Sequence, residues 1–163
     1  MDFKGPSISV CVRGKGEIQY RGGVARVYRG DVLKTLVVED DSTTATVMAE
    51  LLGFYGAVSV VKSGGAALDL FRRAFESGEA FDLVCLDIML PDMSGQSVLK
   101  VLREHEASIG CKDNEVVRIV MTSSRTDPPA ILGAFREQCD DYLVKPTTQA
   151  KLHQMIKKQG LVP

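Results

Sequence analysis

The sequence contains few of the residues on which metal centres, disulfide frameworks and membrane anchors depend. Of its 163 residues two are histidine and four are cysteine, and no two cysteines form a CxxC pair. No apolar run approaches the roughly 20 residues that cross a bilayer. The first residues contain no long apolar segment of a signal peptide. These absences exclude a transmembrane helix and a zinc or disulfide framework, and they predict a cytoplasmic protein with reduced thiols.

The few histidines and cysteines are predicted to have structural rather than chemical roles. His105 and His153 lie in polar, helix-like stretches, which favours solvated side chains. Cys85 and Cys139 are interpreted as small apolar residues of the core.

From Lys34 onward the chain alternates between β-branched apolar runs and amphipathic segments. Five strands are predicted, in KTLVVED, AVSVVKS, FDLVCLD, VVRIVMTSS and DYLVKP. Five helices follow them in turn, in STTATVMAELLG, GGAALDLFRRAFESGE, SGQSVLKVLREHE, DPPAILGAFREQC and TQAKLHQMIKKQ. Near-continuous apolar strands that alternate with helices are typical of a parallel sheet covered on both faces. The sequence therefore predicts an α/β fold, a doubly wound five-stranded parallel sheet of flavodoxin-like order 2-1-3-4-5.

Residues 1–33 lie outside this alternation and are predicted to be an N-terminal extension of a domain formed by residues 34–163. In the extension ISVCV, EIQY and VARVY are separated by turn-forming stretches, which favours short strands, and a disordered segment is the alternative. Residues 1–34 carry a balance of +4 and residues 35–163 one of −5. A basic segment suits an acidic partner or nucleic acid, but a solvated extension is the preferred interpretation.

Polar side chains stand where four of the predicted strands end. Glu39 and Asp40 follow the first strand, Asp87 ends the third, and Thr122 and Lys145 belong to the fourth and fifth. In a doubly wound sheet the ligand site lies beyond the carboxyl ends of the strands, where the winding reverses. We therefore expect these five side chains to line one crevice.

The chemistry of these residues favours phosphoryl transfer. Two carboxylates about 4 Å apart repel by roughly 4 kcal/mol at an effective dielectric of 20, so three of them either raise a pKa or bind a cation. Oxygen ligands without thiol or imidazole favour Mg²⁺. A carboxylate beside Mg²⁺, an ammonium and a hydroxyl is equipped to accept a phosphoryl group. We predict that Asp87 is that carboxylate.

Four motifs in succession resemble those of two-component response regulator receiver domains of the stand-alone, chemotaxis-regulator-like kind. They are LVVEDDS, DLVCLDIMLPDMSG, IVMTSS and DYLVKP, between Lys34 and about residue 160. The resemblance implies that Asp87 is the phosphoacceptor and that Asp40 binds Mg²⁺ directly. It also implies that Glu39 acts on the metal at longer range and that the backbone carbonyl of Met89 completes the protein ligands.

The resemblance assigns further roles around the phosphoryl group. Thr122 and Lys145 would contact the phosphoryl oxygens, and the peptide bond before Pro146 is expected to be cis. Tyr142 matches the switch aromatic that turns inward when Thr122 moves, although a half-buried strand tyrosine would look the same. Asp41 is predicted to cap the following helix rather than to bind the metal.

Two positions bear on the lifetime of the phosphoryl group. Met89 and Ser124 lie two residues beyond Asp87 and Thr122, where side chains can control the access of water. Because Met89 offers no polar group to orient that water, a long-lived phosphoryl state is predicted. Two stretches depart from the usual family pattern, namely EQCDD and the long connection EASIGCKDNEVV.

The expected partners are a histidine kinase or histidine phosphotransfer protein, and a downstream protein. The downstream protein would bind the face formed by the fourth predicted helix, the fifth strand and the fifth helix. Because the chain ends at GLVP after that helix, a stand-alone receiver is expected, whose output is altered binding rather than turnover. No separate enzymatic substrate, membrane or direct nucleic-acid contact is expected, and homodimer formation stays open.

Three alternatives share part of this pattern. A Mg²⁺-dependent phosphohydrolase would share the aspartyl phosphate, but such enzymes usually need a carboxylate where this chain has Met89. A flavodoxin-type FMN carrier would share the fold, but its phosphate loop needs hydroxyls and glycines where this chain has EDD. A regulator that works without phosphate is disfavoured by the intact set of five residues.

Overall fold

The computed structural model describes residues 17–21, 24–28, 32–111, 116–124, 133 and 138–162. Strands β1 (Glu17–Arg21) and β2 (Val24–Tyr28) form an antiparallel pair in which Glu17 lies opposite Tyr28. They coincide with the EIQY and VARVY stretches, whereas ISVCV lies outside the described residues. The division of the chain at residue 33 stays a prediction.

The remaining strands form one parallel sheet. They are β3 (Leu33–Val38), β4 (Gly56–Val61), β5 (Leu83–Asp87), β6 (Arg118–Ser123) and β7 (Asp141–Val144). Their order is β4-β3-β5-β6-β7, and each neighbouring pair is parallel. Numbered within this sheet, the order is 2-1-3-4-5. The predicted doubly wound fold is therefore confirmed.

Four helices are described along the chain. They are α1 (Ser42–Gly53), α2 (Gly64–Glu76), α3 (Gly95–Ser108) and α4 (Gln149–Lys158), the last of which is the fifth predicted helix. Most of the fourth predicted helix lies outside the described residues, although Gly133 within it is helical. Each described helix begins after a Ser, Thr or Asp side chain that accepts a hydrogen bond from its first turn.

The sheet separates two hydrophobic cores because successive side chains of a strand point to opposite faces. On one face Leu36, Leu86 and Met121 join a cluster with residues of α2 and α3, such as Phe71 and Leu102. The other cluster contains strand residues together with residues of α1 and α4: Val37, Cys85, Val120, Leu52 and Ile156. All five residues of β5 are buried, so the central strand contributes to both cores.

The two described cysteines assigned to the core are buried, as predicted. Burial raises the pKa of the Cys85 thiol to about 12 and that of Cys139 to about 11. The prediction for the histidines is wrong for His105, which is half-buried and meets Phe71 and Phe75 edge-on, with centroids 6.3 and 5.7 Å away. His153 is exposed, and its Nδ1 lies 2.9 Å from the hydroxyl of Tyr55.

An ionic cluster lies at the edge of the sheet where the strands begin. Glu106 of α3 is 1% exposed and contacts Arg103 Nη1 at 2.8 Å and the N–H of Val117 at 2.7 Å. Arg103 also contacts Asp140 at 2.7 Å, and Asp140 contacts Arg118 at 3.0 Å. The unusual EQCDD stretch therefore supplies a structural carboxylate, which joins α3 to the starts of β6 and β7.

Within the described part of the chain, no helix has the length and apolar character needed to cross a membrane.

Candidate functional site

The predicted acidic residues meet at the carboxyl ends of β3 and β5. Glu39 directly follows β3, its N–H donates to the carbonyl of Val61 at 3.0 Å, and its side chain is buried. Asp40 comes next and is exposed, whereas Asp87 is the last residue of β5 and is 5% exposed. One carboxylate oxygen from each of the three residues lies within 4.8 Å of the other two. Adjacent parallel strands thus deliver three carboxylates to one place.

Lys145 brings a positive charge to this acidic cluster. It directly follows β7, and its N–H donates to the carbonyl of Ser123 at 2.8 Å. From there Nζ reaches Asp87 Oδ2 at 2.8 Å and Glu39 Oε2 at 2.5 Å. The bond to Pro146 is cis, as the family resemblance implies.

The protonation of the cluster reflects burial and charge together. Burial raises the pKa of Glu39, and the hydrogen bond from Lys145 offsets part of this effect, while the neighbouring charge of Asp87 adds to it. Burial alone would lower the pKa of Lys145, but the hydrogen bonds to Asp87 and Glu39 outweigh it, so the pKa is raised. Lys145 is therefore charged at neutral pH.

The two oxygens of Asp87 have different partners. Oδ2 accepts from Lys145, and Oδ1 accepts from the N–H of Met89 at 3.1 Å. Thr122 lies directly opposite Asp87 on β6 and is buried, while its carbonyl accepts from the N–H of Ile88 at 3.1 Å. Each carboxylate oxygen of Asp87 is thus held by a hydrogen bond from a different segment of the chain.

The sequence also assigned roles to Tyr142, Asp41, Ser124 and Met89. Tyr142 of β7 is half-buried and packs against the core that contains α2 and α3. Asp41 caps α1, accepting from the N–H of Thr44 at 2.7 Å, as predicted. Ser124 and the side chain of Met89 are exposed, Met89 at 68%.

Two residues near the site were missed from the sequence. A Cβ atom on Gly95 would lie 2.0 Å from the carbonyl oxygen of Asp87, so only glycine fits there. The glycine of the DMSG stretch was the available signal. Lys62 follows β4, and its Nζ donates to the hydroxyl of Ser42 at 2.8 Å. Nothing in the local sequence pattern around Lys62 indicated this contact.

The donor set fits Mg²⁺. The clustered ligand atoms are carboxylate oxygens, which hard divalent cations prefer over nitrogen or sulfur. One ammonium faces Glu39 and Asp87, so the cluster of three acids keeps a net negative charge when all are ionised. A divalent cation offsets that charge.

The sequence that forms this fold and site matches a known protein family. The chain belongs to the response regulator receiver domain family, whose sequence pattern matches residues 35–157. It is therefore a receiver domain of the kind found in two-component response regulators.

Known proteins of several kinds resemble this chain. The sensory transduction protein RegX3 of Mycobacterium tuberculosis is 35% identical over 123 residues, which are 75% of this chain and 48% of RegX3. The hybrid signal transduction histidine kinase L of Dictyostelium discoideum is 32% identical over 78% of this chain and 7% of the kinase. The chain thus spans half or less of the length of these relatives.

A solved structure agrees over nearly its whole length. The BeF₃-activated receiver domain of DrrB, a Thermotoga maritima protein, has a TM-score of 0.65 and 26% sequence identity. The alignment covers 80% of this chain and 99% of the DrrB receiver domain.

Proposed function

We propose that Asp87 accepts a phosphoryl group from the phosphohistidine of a histidine kinase or histidine phosphotransfer protein, in a Mg²⁺-dependent reaction. The observation that carries this proposal is the convergence of three carboxylates and Lys145 at the end of β5. A hybrid histidine kinase among the relatives supports a phosphohistidine donor, since it contains a segment similar to this chain.

The residues around Asp87 suit it for attack on phosphorus. A carboxylate oxygen of Asp87 forms a bond to phosphorus, the phosphorus–nitrogen bond of the donor breaks, and the imidazole leaves with that electron pair. Glu39, Asp40, Asp87 and the carbonyl of Met89 would hold Mg²⁺, which supplies charge neutralisation for the phosphoryl oxygens. The N–H of Met89 fixes one oxygen of Asp87 and so orients the carboxylate.

Lys145 and Thr122 would stabilise the product. Lys145 already contacts Asp87 Oδ2 at 2.8 Å, so its ammonium is within reach of oxygens added there. Thr122 is the neighbour of Asp87 in the sheet register and carries a hydroxyl donor. Both groups come from strands on the same side of β5, opposite the side of Glu39 and Asp40.

The output would be altered binding of a downstream protein. Tyr142 lies opposite Met121 in the register, one residue from Thr122. The family resemblance assigns it as the aromatic residue that turns inward when Thr122 moves toward the phosphoryl group. Tyr142 belongs to β7, one of the elements of the face that was predicted to bind the downstream protein. The phosphoryl group shifts the equilibrium between two arrangements of this face. The protein would act as a regulator rather than as an enzyme with a separate substrate.

Intact mass after incubation with acetyl phosphate and Mg²⁺ tests the proposal. We expect one phosphoryl group on the parent protein, none on Asp87→Asn, and none on the parent when EDTA is present. A parent protein that binds Mg²⁺ but gains no mass would contradict the role of Asp87. Steady hydrolysis of a phosphomonoester by the parent would instead indicate a phosphohydrolase.

A further inference from the structure

The loop between β5 and α3 carries a carboxylate that the proposed reaction does not use. Asp92 lies in this loop, and both of its oxygens accept hydrogen bonds from the start of α2. Oδ1 accepts from the N–H of Gly64 and Oδ2 from the N–H of Gly65, each at 2.8 Å. Asp92 thus joins the loop to a helix that begins 28 residues earlier.

The start of α2 needs these acceptors. A helix begins with N–H groups that have no partner within the helix. Ser63 supplies acceptors to Ala66 and Ala67, at 3.3 and 3.1 Å, and Asp92 supplies them to Gly64 and Gly65. Hydrogen bonds from Gly65 and Gly64 lower the pKa of Asp92, so it is ionised at neutral pH and faces the positive end of the helix dipole.

Packing beside these hydrogen bonds keeps the loop close to α2. A Cβ atom on Gly64 would lie 2.5 Å from Cγ of Met93 and 2.7 Å from Cγ2 of Val98. The side chain of Met93 therefore fills the space that a larger residue at position 64 would need. The loop is in contact with α2 through both Asp92 and Met93.

The other end of the loop is joined to the phosphoacceptor. The N–H of Gly95 donates to the carbonyl of Ile88 at 2.8 Å, and Met89 pairs with Ser94 in an antiparallel bridge. The N–H of Met89 also contacts Asp87. Met89 therefore lies in the loop between Asp87, which its N–H contacts, and Asp92, which contacts α2.

We propose that Asp92 is a positioning residue for the metal: by binding the start of α2 it holds the loop so that the Met89 carbonyl faces the cluster of Glu39, Asp40 and Asp87. The inference rests on the proposed Mg²⁺-dependent function and adds a residue that touches neither the metal nor the phosphoryl group. Groups that orient a metal ligand from outside typically change metal affinity by about 10–100-fold.

The test is the Mg²⁺ dissociation constant of Asp92→Ala and Asp92→Asn, measured by amide NMR titration of the whole chain. We expect Asp92→Ala to raise the constant about ten-fold, the lower end of the usual range for such residues. Asp92→Asn should raise it less, because the amide keeps one oxygen acceptor. Hydrogen exchange should speed up at Gly64 and Gly65 in the alanine variant, which reports the loss of the contact directly.

Asp69→Asn is the matched control, since it removes the same charge from an exposed pair on α2. It should leave Mg²⁺ affinity unchanged. If Asp92→Ala lowers resistance to urea but binds Mg²⁺ as the parent does, Asp92 is only a helix cap and the inference is overturned. If the parent protein itself binds no Mg²⁺, the proposed function fails and the inference fails with it. If the parent binds Mg²⁺ and the Asp92 variants bind it equally well, only the inference is overturned.

Discussion

At the scale of single residues, the site combines buried carboxylates with the ammonium group of Lys145. Glu39 and Asp87 are nearly inaccessible, yet both reach one ammonium, that of Lys145. Negative charge therefore remains in a region of low dielectric. There the binding of a cation, or of a phosphoryl group together with a metal ion, changes the electrostatic energy most. Asp40 differs from the two others because it is exposed and open to an arriving ion.

A prediction at this scale is that the side chain at position 89 controls how fast the proposed aspartyl phosphate is hydrolysed. Met89 is exposed two residues beyond Asp87, a position predicted to control the access of water. In the proposed phosphorylated state Met89→Asn would place a polar amide there, so we expect faster hydrolysis. A ten-fold increase corresponds to about 1.4 kcal/mol in the barrier. The measurement is decay of the phosphorylated mass with time after removal of acetyl phosphate. Val101→Asn is the control, because Val101 is also an exposed apolar side chain, on α3. Equal decay rates in the parent and Met89→Asn would show that position 89 does not govern hydrolysis.

At the scale of elements, the candidate site lies at the carboxyl ends of the strands and the ionic cluster lies at their amino ends. Strand β6 begins at Arg118, in the ionic cluster, and continues to Thr122, beside Asp87. Asp140 precedes β7 in that cluster, and Lys145 follows the strand in the site. Parallel strands align these ends, so the residues that stabilise the fold and those that carry function are separated along each strand.

The ionic cluster yields a prediction for Arg103→Ala. Glu106 and Asp140 would lose a cation that is itself largely buried, and breaking such a pair costs about 3–5 kcal/mol. We expect a loss of that order in the free energy of unfolding, measured by urea denaturation at neutral pH. Arg72→Ala, which breaks an exposed pair with Asp69, should cost under about 1 kcal/mol. Similar losses in both variants would mean that the cluster contributes no more than a surface ion pair.

At the scale of the whole molecule, the proposed metal site would link Mg²⁺ binding to the stability of the fold. Glu39 and Asp87 come from different strands, so the unfolded chain does not hold the cluster together. A ligand that binds the folded state alone stabilises it by about 2.7 kcal/mol at a hundred times its dissociation constant. Folding and the proposed metal binding would therefore be coupled in this protein.

We expect Mg²⁺ to raise the thermal unfolding temperature of the parent at constant ionic strength. For a chain of this size about 2.7 kcal/mol corresponds to roughly 5–10 °C. Asp40→Asn should abolish most of this increase, whereas Asp69→Asn should keep it, as followed by circular dichroism. An increase of the same size in Asp40→Asn would indicate that the ion binds elsewhere.

Much of the fold and of the acidic cluster could be predicted because the information is local in the sequence. Apolar runs alternating with amphipathic segments indicate a parallel doubly wound sheet, and that topology places residues at strand ends beside one another. Glu39, Asp40, Asp87, Thr122 and Lys145 were located in this way. The Asp41 cap needed only the residue type and its place before a helix.

Contacts between distant segments could not be read from the sequence. His105 lies in a polar stretch, but its helix turns it toward Phe71 and Phe75.

Glu106 and Asp140 resemble ordinary surface acids in the sequence. Only the packing of α3 against the segment before β7 brings Arg103 between them. Asp92 resembles a turn residue until the start of α2 is placed against it. The spacing of hydrophobic residues indicates which face of a helix or strand is buried. It does not indicate which polar groups of other helices or strands lie next to that face.

The sequence by itself therefore determined the order of elements, the parallel sheet and the set of residues at its carboxyl edge. Tertiary structure alone decided that Lys145 bridges Glu39 and Asp87, that the ionic cluster lies at the opposite ends of the strands, and that Asp92 joins the loop after β5 to α2. The reason is physical: secondary structure and burial follow from neighbouring residues, whereas hydrogen bonds and ion pairs between elements require distances that only the packed chain sets.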